Sequence, residues 1–348
     1  MLISSRYLVS VAMLVALVPA IANAQTQPAT AATADAIDPP GTSAAALGLT
    51  DLTDDLSRQD LFAEIREADV AADSSGTTAS AQYFNLYGPF RFPNDVDFDT
   101  ALNEPRKDSL FGVDISHYTN SAFPIEQLRT RKIRFLYMKA TQGTGSLDSK
   151  FAGFWSRAGK LPKGSEVHRG AYHFLSSGDP RVPAEDWGRA QAATFIKVIK
   201  ANGGLLPTDM PPVVDLEWDK ASKDGPDRWQ GRKPAEIIAM TKAYLTAVET
   251  GLHRTPMIYT ARSWWRERIG SETEFAALST YPLWLADYSK TSRASEVPTT
   301  INGVRWALWQ YTEAATMAIG FNGAFDANIF KGKTDAFYTS LGVAEFQQ

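Results

Sequence analysis

The stretch PPVVDLEW, residues 211–218, decides the predicted fold of the chain. It is a short apolar run that begins with prolines, and such a run is typical of a strand buried on both faces of a sheet. Asp215 and Glu217 stand near its end, two residues apart. Side chains two positions apart on a strand point to the same face, so we expect these carboxylates side by side, with Cα atoms about 6.6–6.8 Å apart.

Comparable apolar runs recur along the chain and alternate with segments of helical periodicity. Buried strands that alternate with helices build a parallel sheet covered by helices. Seven or eight strands within about 230 residues favour a closed (β/α) barrel. An open doubly wound sheet is the alternative, but it usually has a glycine-rich turn after its first strand, and this sequence has none. The predicted strands are 110–116, 133–140, 167–175, 211–218, 256–260, 282–288, 304–311 and 325–330, and the predicted helices are 147–161, 183–201 and 234–251.

Polar side chains stand near the ends of most of these predicted strands. In barrels of this type, the chemistry takes place at the C-terminal ends of the strands. Each such residue taken alone could be a helix cap, a salt-bridge partner or a hydrogen-bonded core group, but their convergence favours a functional site. They are Asp114, Lys139, Tyr172, His173, Asp215, Glu217, Tyr259, Asp287, Gln310 and Asp326.

The pair formed by Asp215 and Glu217 is the sharpest of these signals. Two carboxylates on a buried strand are costly to desolvate, and their repulsion raises the pKa of one of them. A protonated acid beside an ionised partner is what the hydrolysis of a glycosidic bond requires. A structural salt-bridge or metal site is the alternative interpretation. Aromatic rings near the strand ends could stack on sugars or belong to the core, and they are Tyr172, Trp218, Tyr259, Trp284, Trp309 and Tyr311.

The composition excludes several other classes of protein. The chain has 348 residues, of which 44% are hydrophobic and 21% are charged, so disorder of the whole chain is ruled out. It has no cysteine, which excludes disulfides, thiolate metal sites and a cysteine nucleophile. The four histidines lack ligand spacing, and no GxSxG motif is present. We therefore expect no cofactor and no metal, and the absence of a dense Lys/Arg run predicts no nucleic-acid partner.

The first 24 residues have the pattern of a secretory signal. An apolar run of about 14 residues follows Arg6, and Ala22 and Ala24 supply the small residues of a cleavage site. The alternative is a membrane anchor, but a spanning helix needs about 20 apolar residues. We therefore expect cleavage after Ala24, export to the periplasm or the exterior, no membrane span in the mature protein, and a monomer.

Residues 25–107 form an acidic leader, with 14 acidic and 5 basic residues, whereas the remainder of the chain is mildly basic. Residues 25–48, rich in Ala, Thr and Pro, are predicted to be a disordered spacer. Residues 49–72 have the spacing of an amphipathic helix. The phenylalanines within residues 90–98 suggest an extended segment that lies over another part of the molecule. The leader is thus predicted to be largely non-globular.

The order of motifs after the leader resembles glycoside hydrolase family 25, the lysozymes that act as N-acetylmuramidases. The motifs are GVDISHY, FLYMKATQGT, RGAYHF, PPVVDLE, PMIYT, YPLWLADY, WALWQYT and FDANIF, in this order over about residues 110–330. The resemblance implies an irregular, TIM-like (β/α)5β3 barrel, which would occupy residues 108–340 and leave 341–348 as a tail. It also implies cleavage of the β-1,4 bond from N-acetylmuramic acid to N-acetylglucosamine, with peptidoglycan glycan strands as the partner.

The resemblance also assigns roles to individual residues. It makes Glu217 the general acid and Asp215 the residue that positions the N-acetyl group or a water, and it adds Asp114 and Asp326 as further catalytic acids. The substrate-binding residues it implies, together with those expected at the strand ends, are Tyr172, His173, Tyr259, Trp284, Asp287, Trp309, Gln310 and Tyr311.

Two alternatives to a muramidase remain open at this stage. A chitinase-like glycosidase also ends a strand in Asp-x-Glu, although such enzymes usually carry further aspartates where this chain has Pro211 and Val213. A wall-binding barrel without catalysis is the other, and Gln142, which stands where the family usually has Glu, faintly supports it. The leader could be a spacer, an inhibitory flap or a partner-docking segment.

Overall fold

The computed structural model describes residues 42–52, 62–74, 89–99, 104–222 and 224–347 of the chain. The predicted signal at residues 1–24 and most of the predicted spacer lie outside this part of the chain.

Eight strands close into a barrel, as the sequence predicts. Neighbouring strands from β1 to β7 are parallel, whereas β8 pairs antiparallel with both β7 and β1 and thereby completes the ring. The barrel is irregular because its last three strands follow one another with little helix between them. The strands are β1 (Ser109–Ile115), β2 (Ile133–Gln142), β3 (His168–Phe174), β4 (Val213–Leu216), β5 (Met257–Ala261), β6 (Leu283–Ala286), β7 (Trp306–Met317) and β8 (Phe325–Lys331).

Seven helices lie in the described residues. The three predicted barrel helices are confirmed within a few residues, and the predicted leader helix is confirmed in its C-terminal half, whereas three short helices of the barrel were not predicted. The helices are α1 (Ala63–Ser74), α2 (Phe151–Gly159), α3 (Ala184–Ala201), α4 (Pro234–Leu252), α5 (Arg262–Arg268), α6 (Lys290–Ser295) and α7 (Thr334–Leu341). Turns of 3₁₀ helix occupy Ala45–Leu47, Ile125–Gln127, Arg129–Arg131, Arg228–Gly231 and Glu272–Leu278.

The long helices α3 and α4 begin and end where their sequences indicate. Glu185 and Asp186 stand in the first turn of α3, where carboxylates favour the positive end of the helix dipole. Pro234 begins α4, and the Glu236 carboxylate accepts the backbone N–H of Lys233 at 2.8 Å. The two helices pack closely against each other, since a Cβ added at Gly188 would lie 2.3 Å from the Met240 carbonyl oxygen.

The described parts of the leader pack on the barrel. Residues 45–47, at the end of the predicted spacer, form a 3₁₀ turn whose Leu47 is buried. Thr50–Asp51 is a strand, not part of the predicted helix, because it pairs with the short strand Ser146–Leu147 after β2. The helix itself is α1, which begins only at Ala63. The prediction of a disordered spacer is therefore wrong for residues 45–47, and that of a helix is wrong for residues 50–51.

The extended segment expected around residues 90–98 is confirmed. Arg91–Phe92 is a short strand that pairs with the end of β7, and Phe92 is buried against Phe111 and Phe325 of the barrel. A two-stranded ribbon, Phe98–Asp99 with Glu104–Pro105, follows it. Within the described residues, no helix combines the length and the apolar character needed to cross a bilayer.

Candidate active site

A cavity lies at the C-terminal ends of the strands. Side chains alternate between the two faces of each strand, so one residue in two points into the barrel. The cavity collects seven of the predicted residues, Asp114, Tyr172, Asp215, Glu217, Tyr259, Trp284 and Gln310, together with Lys139 and with Phe62, Ser116, Tyr118 and Phe174.

Asp215 and Glu217 form the centre of this cavity on β4 and immediately after it. Their exposed fractions are 5% and 3%, and one oxygen of each, Asp215 Oδ1 and Glu217 Oε2, is buried without a hydrogen-bond partner. Buried polar atoms in proteins nearly always have partners. These two oxygens are therefore available to a ligand in the cavity.

The surroundings of the pair raise the pKa of both carboxyl groups. Burial raises the pKa of Asp215 to about 8, although the charge of Lys139 acts in the opposite direction. Burial also raises the pKa of Glu217 well above its usual range, and the negative charge of Asp215 raises it further. Glu217 therefore keeps its proton when Asp215 ionises, which makes Glu217 the acid of the pair.

Asp114 is held by two side-chain amides whose orientation is set by aromatic residues. Gln310 Nε2 and Asn328 Nδ2 donate to Asp114 Oδ2 at 2.9 and 2.7 Å. The oxygen of Gln310 accepts the hydroxyls of Tyr259 and Tyr288, and that of Asn328 accepts the indole N–H of Trp284. Because the two amide oxygens are occupied in this way, both NH₂ groups must face Asp114.

Among the described residues that line the cavity, Lys139 is the only cation. It is 4% exposed, its Nζ donates to Gln142 Oε1 at 2.7 Å, and it lies over the ring of Phe174 at 4.8 Å. Its partner is a neutral amide, so its charge is not neutralised there and acts on the carboxyl groups. Lys139 accordingly lowers the pKa of both Asp215 and Glu217.

Asp326 lies beside the cavity and is not among the residues that line it. It pairs with Asp114 in the register of β8 and β1 and is 6% exposed. Its negative charge contributes to the raised pKa of Glu217. Asn328, two residues later on the same face of β8, is a member of the site that the sequence did not single out, although this spacing is itself a signal.

His173 points to the outer face of the barrel. Its ring nitrogens contact Thr141 Oγ1 at 2.7 Å and Gln191 Oε1 at 3.2 Å, and its ring stacks on Tyr244. Burial lowers the pKa of His173 to about 3, so it is neutral. The structure thus places it in the packing between the barrel and α3, away from the cavity.

Four more residues that the sequence singled out do not line the cavity. They are Asp287, Trp309 and Tyr311, which were predicted to bind substrate, and Trp218, which follows β4. Trp309 donates its indole N–H to the Asp287 carbonyl at 2.8 Å, and Tyr311 packs against Phe90 of the leader. The Asp287 carboxylate accepts the backbone N–H groups of Ser289 and Thr299 and shapes the loop after β6. Trp218 donates to Glu267 Oε2 at 2.8 Å.

The fold and the site together define a class of protein. A closed α/β barrel holds a protonated carboxyl group next to a second, more acidic one, in a cavity walled by tyrosine and tryptophan rings. A pair of carboxyl groups of this kind is what a glycoside hydrolase uses to cleave a glycosidic bond. Within the described residues, no group of three or more His, Asp or Glu side chains is arranged to bind a metal ion.

The comparisons with known proteins identify the family. The family described as Glycosyl hydrolases family 25 matches residues 113–318, and the chain belongs to this family. The chain is 32% identical over 209 residues to an N,O-diacetylmuramidase from Chalaropsis sp, covering 58% of this chain and 88% of that protein. It is 28% identical over 225 residues to Lysozyme M1 from Streptomyces globisporus, covering 64% and 67%.

A solved structure supports the same conclusion. The bacterial lysozyme from Streptomyces coelicolor superposes with a TM-score of 0.54 at 25% identity, covering 67% of this chain and 97% of that one. The chain is therefore a glycoside hydrolase of the lysozyme type, as its motifs predicted.

Proposed function

We propose that the protein is exported and hydrolyses the β-1,4 bond between N-acetylmuramic acid and N-acetylglucosamine in peptidoglycan. The observation that carries this proposal is the buried pair of Asp215 and Glu217, each with an oxygen that has no hydrogen-bond partner in the part of the chain that the structure describes. The names of the related proteins, a lysozyme and a muramidase, support the choice of bond. The signal-like pattern of residues 1–24 supports export, because peptidoglycan lies outside the cytoplasm.

In the proposed mechanism, Glu217 donates its proton to the glycosidic oxygen as the bond to the leaving sugar breaks. Asp215 then acts in one of two ways. It accepts the N–H of the substrate's own acetamido group, whose carbonyl oxygen attacks the anomeric carbon, or it accepts a proton from an attacking water. Both routes use the Asp215 oxygen that has no partner in the protein.

The test is the Glu217→Gln variant on purified peptidoglycan. Glutamine has the shape of glutamate but cannot donate an acidic proton, so we expect fragment release to fall by about 10²-fold or more. Mass spectrometry of the fragments names the bond that is cut. Glu126→Gln is the matched control, because Glu126 is exposed and pairs with Arg157 outside the cavity, and it should keep wild-type activity.

Two outcomes would redirect the proposal. If Glu217→Gln kept most of its activity, Glu217 would not be the acid. If the wild-type protein released reducing ends from chitin but none from peptidoglycan, the proposed substrate would be wrong. The proposed roles of the two carboxyl groups would not be affected.

A further inference from the structure

A segment of the leader forms part of the wall of the catalytic cavity. Phe62, which immediately precedes α1, lines the same cavity as Asp215 and Glu217 and is only 6% exposed. Its ring meets the ring of Tyr288 edge-on, with centroids 6.2 Å apart, and the Tyr288 hydroxyl in turn donates to Gln310 at 2.6 Å. The leader therefore touches the hydrogen-bond network that holds Asp114.

Ion pairs attach the same segment to the loop after β4 and to strand β7. Glu64 pairs with Lys220, three residues beyond Glu217 at the end of β4. Arg66 pairs with Glu313 of β7 at 3.0 Å. Strands β4 and β7 lie three strands apart in the ring of eight, and a segment that contacts Lys220 after β4 and Glu313 on β7 lies across the side of the barrel opening between them.

The packing of α1 agrees with this crossing. Ile65 is fully buried, which is unusual for a residue of an acidic leader, and α1 contacts α5 and α6. These two helices directly follow β5 and β6, the strands that lie between β4 and β7. The apolar side of the segment thus faces the barrel, and the charged groups of Glu64 and Arg66 pair at its flanks.

We propose that residues 62–74, here named the lid segment, close the active site against its polymeric substrate and hold the enzyme in a latent state. This inference rests on the proposed function, since it names what the lid excludes. A glycan chain must lie across the C-terminal ends of the β-strands to place one of its internal bonds beside Glu217. The lid segment occupies that path. Binding of the glycan chain therefore requires displacement of the lid segment. The apparent affinity for the glycan equals the intrinsic affinity multiplied by the fraction of molecules in which the lid segment is open.

A thiol placed in the cavity measures this closure without reference to catalysis. The chain has no cysteine, so Ser116→Cys in the full-length protein gives a single thiol among the residues that line the cavity. We expect a maleimide to modify it at least about ten-fold faster when Phe62→Ser is added, because modification requires opening. Equal rates of maleimide modification with and without Phe62→Ser would overturn the inference that the lid segment closes the cavity.

The activity of charge-reversal variants gives the second test. Glu64→Lys and Lys220→Glu, made singly in the full-length chain, should each release peptidoglycan fragments about five-fold faster through a lower KM, because each weakens closure. The double variant restores opposite charges and should return towards the wild-type rate, a compensation that general unfolding would not give. Equal and measurable fragment release by all four proteins would overturn the inference. If none of them released fragments, the proposed function would fail, while the thiol rates would still decide the lid.

Discussion

At the scale of single residues, Lys139 lowers the pH at which the catalytic pair works. Its ammonium group favours the ionised forms of Asp215 and Glu217 and so lowers both pKa values. The pKa of Asp215 nevertheless remains about 8, because burial is the larger effect. The proposed mechanism requires Asp215 to be ionised, so activity should increase as pH rises through this value.

The Lys139→Met variant tests this electrostatic role. Removal of the positive charge should raise the pKa of Asp215 further, so that a smaller fraction is ionised at any given pH. We expect the acidic limb of the kcat/KM profile to move to higher pH by about one unit, with up to about ten-fold lower activity on that limb.

Two companion variants make the assignment specific. Lys139→Arg retains the charge and should retain the position of the acidic limb. Gln142→Glu places a carboxylate on the Lys139 ammonium and should shift the limb in the same direction as Lys139→Met, but less. An acidic limb that stayed in place in Lys139→Met would show that the lysine has only a packing role.

At the scale of elements, the contact between α3 and α4 depends on a glycine inside a helix. In an exposed helix, replacing Gly by Ala stabilises by about 1 kcal/mol. At Gly188 the added methyl group would meet the backbone carbonyl of Met240 at 2.3 Å, and a backbone atom cannot move without shifting α4. The sign of the effect should therefore reverse.

We expect Gly188→Ala to lower the free energy of unfolding by about 1–3 kcal/mol, measured by denaturant titration. Gly251→Ala, near the end of α4, is the matched control. The three atoms nearest to its new methyl group would all belong to the Ile196 side chain and none to the backbone, and the closest of them, Cδ1 at 2.5 Å, is the end that can turn away. If Gly188→Ala were as stable as wild type, α3 and α4 would not be held at this close distance.

At the scale of the whole molecule, the buried acids at the cavity lower the stability of the fold. The pKa of Asp215 is about 8 in the folded protein, whereas that of an unfolded Asp is about 3.9. The folded state therefore holds this proton more tightly than the unfolded state does. The resulting loss of stability is absent below about pH 4, grows as pH rises towards 8, and is complete above it.

Asp215→Asn removes this pH-dependent penalty. The variant should unfold at a higher temperature than wild type at pH 8, by about 2–4 °C or more, since a shift of one pKa unit corresponds to about 1.4 kcal/mol. The difference should shrink as pH falls and nearly vanish close to pH 3.5, below the pKa of an unfolded Asp, as followed by calorimetry. Asp186→Asn, at an exposed ion pair, should show no such trend. A gain of equal size at both pH values would contradict the ionisation of a buried Asp215.

Much of the fold could be predicted from the sequence, because strands and helices of this barrel have local signatures. Apolar runs and helical periodicity located every barrel strand and the helices α2, α3 and α4 to within a few residues, except that β7 runs six residues beyond its predicted end. The spacing of Asp215 and Glu217 was enough to predict that they share a face, since the alternation of side chains is a property of the strand itself. The same alternation shows that Gln310 and its neighbours Trp309 and Tyr311 cannot all enter one cavity.

Only the tertiary structure shows which residues from distant parts of the chain contact one another. Lys139 and Thr141 would share a face in a regular strand, but a bulge between them sends Lys139 into the cavity and Thr141 outward to His173. The hydrogen bonds from the side-chain amides of Gln310 and Asn328 to Asp114 form only when β8 closes the ring. Phe62 reaches Tyr288 only because the leader folds back over the finished barrel. Local periodicity determines the elements, whereas contacts across 200 residues depend on closure of the barrel and on burial, which no short window of sequence contains.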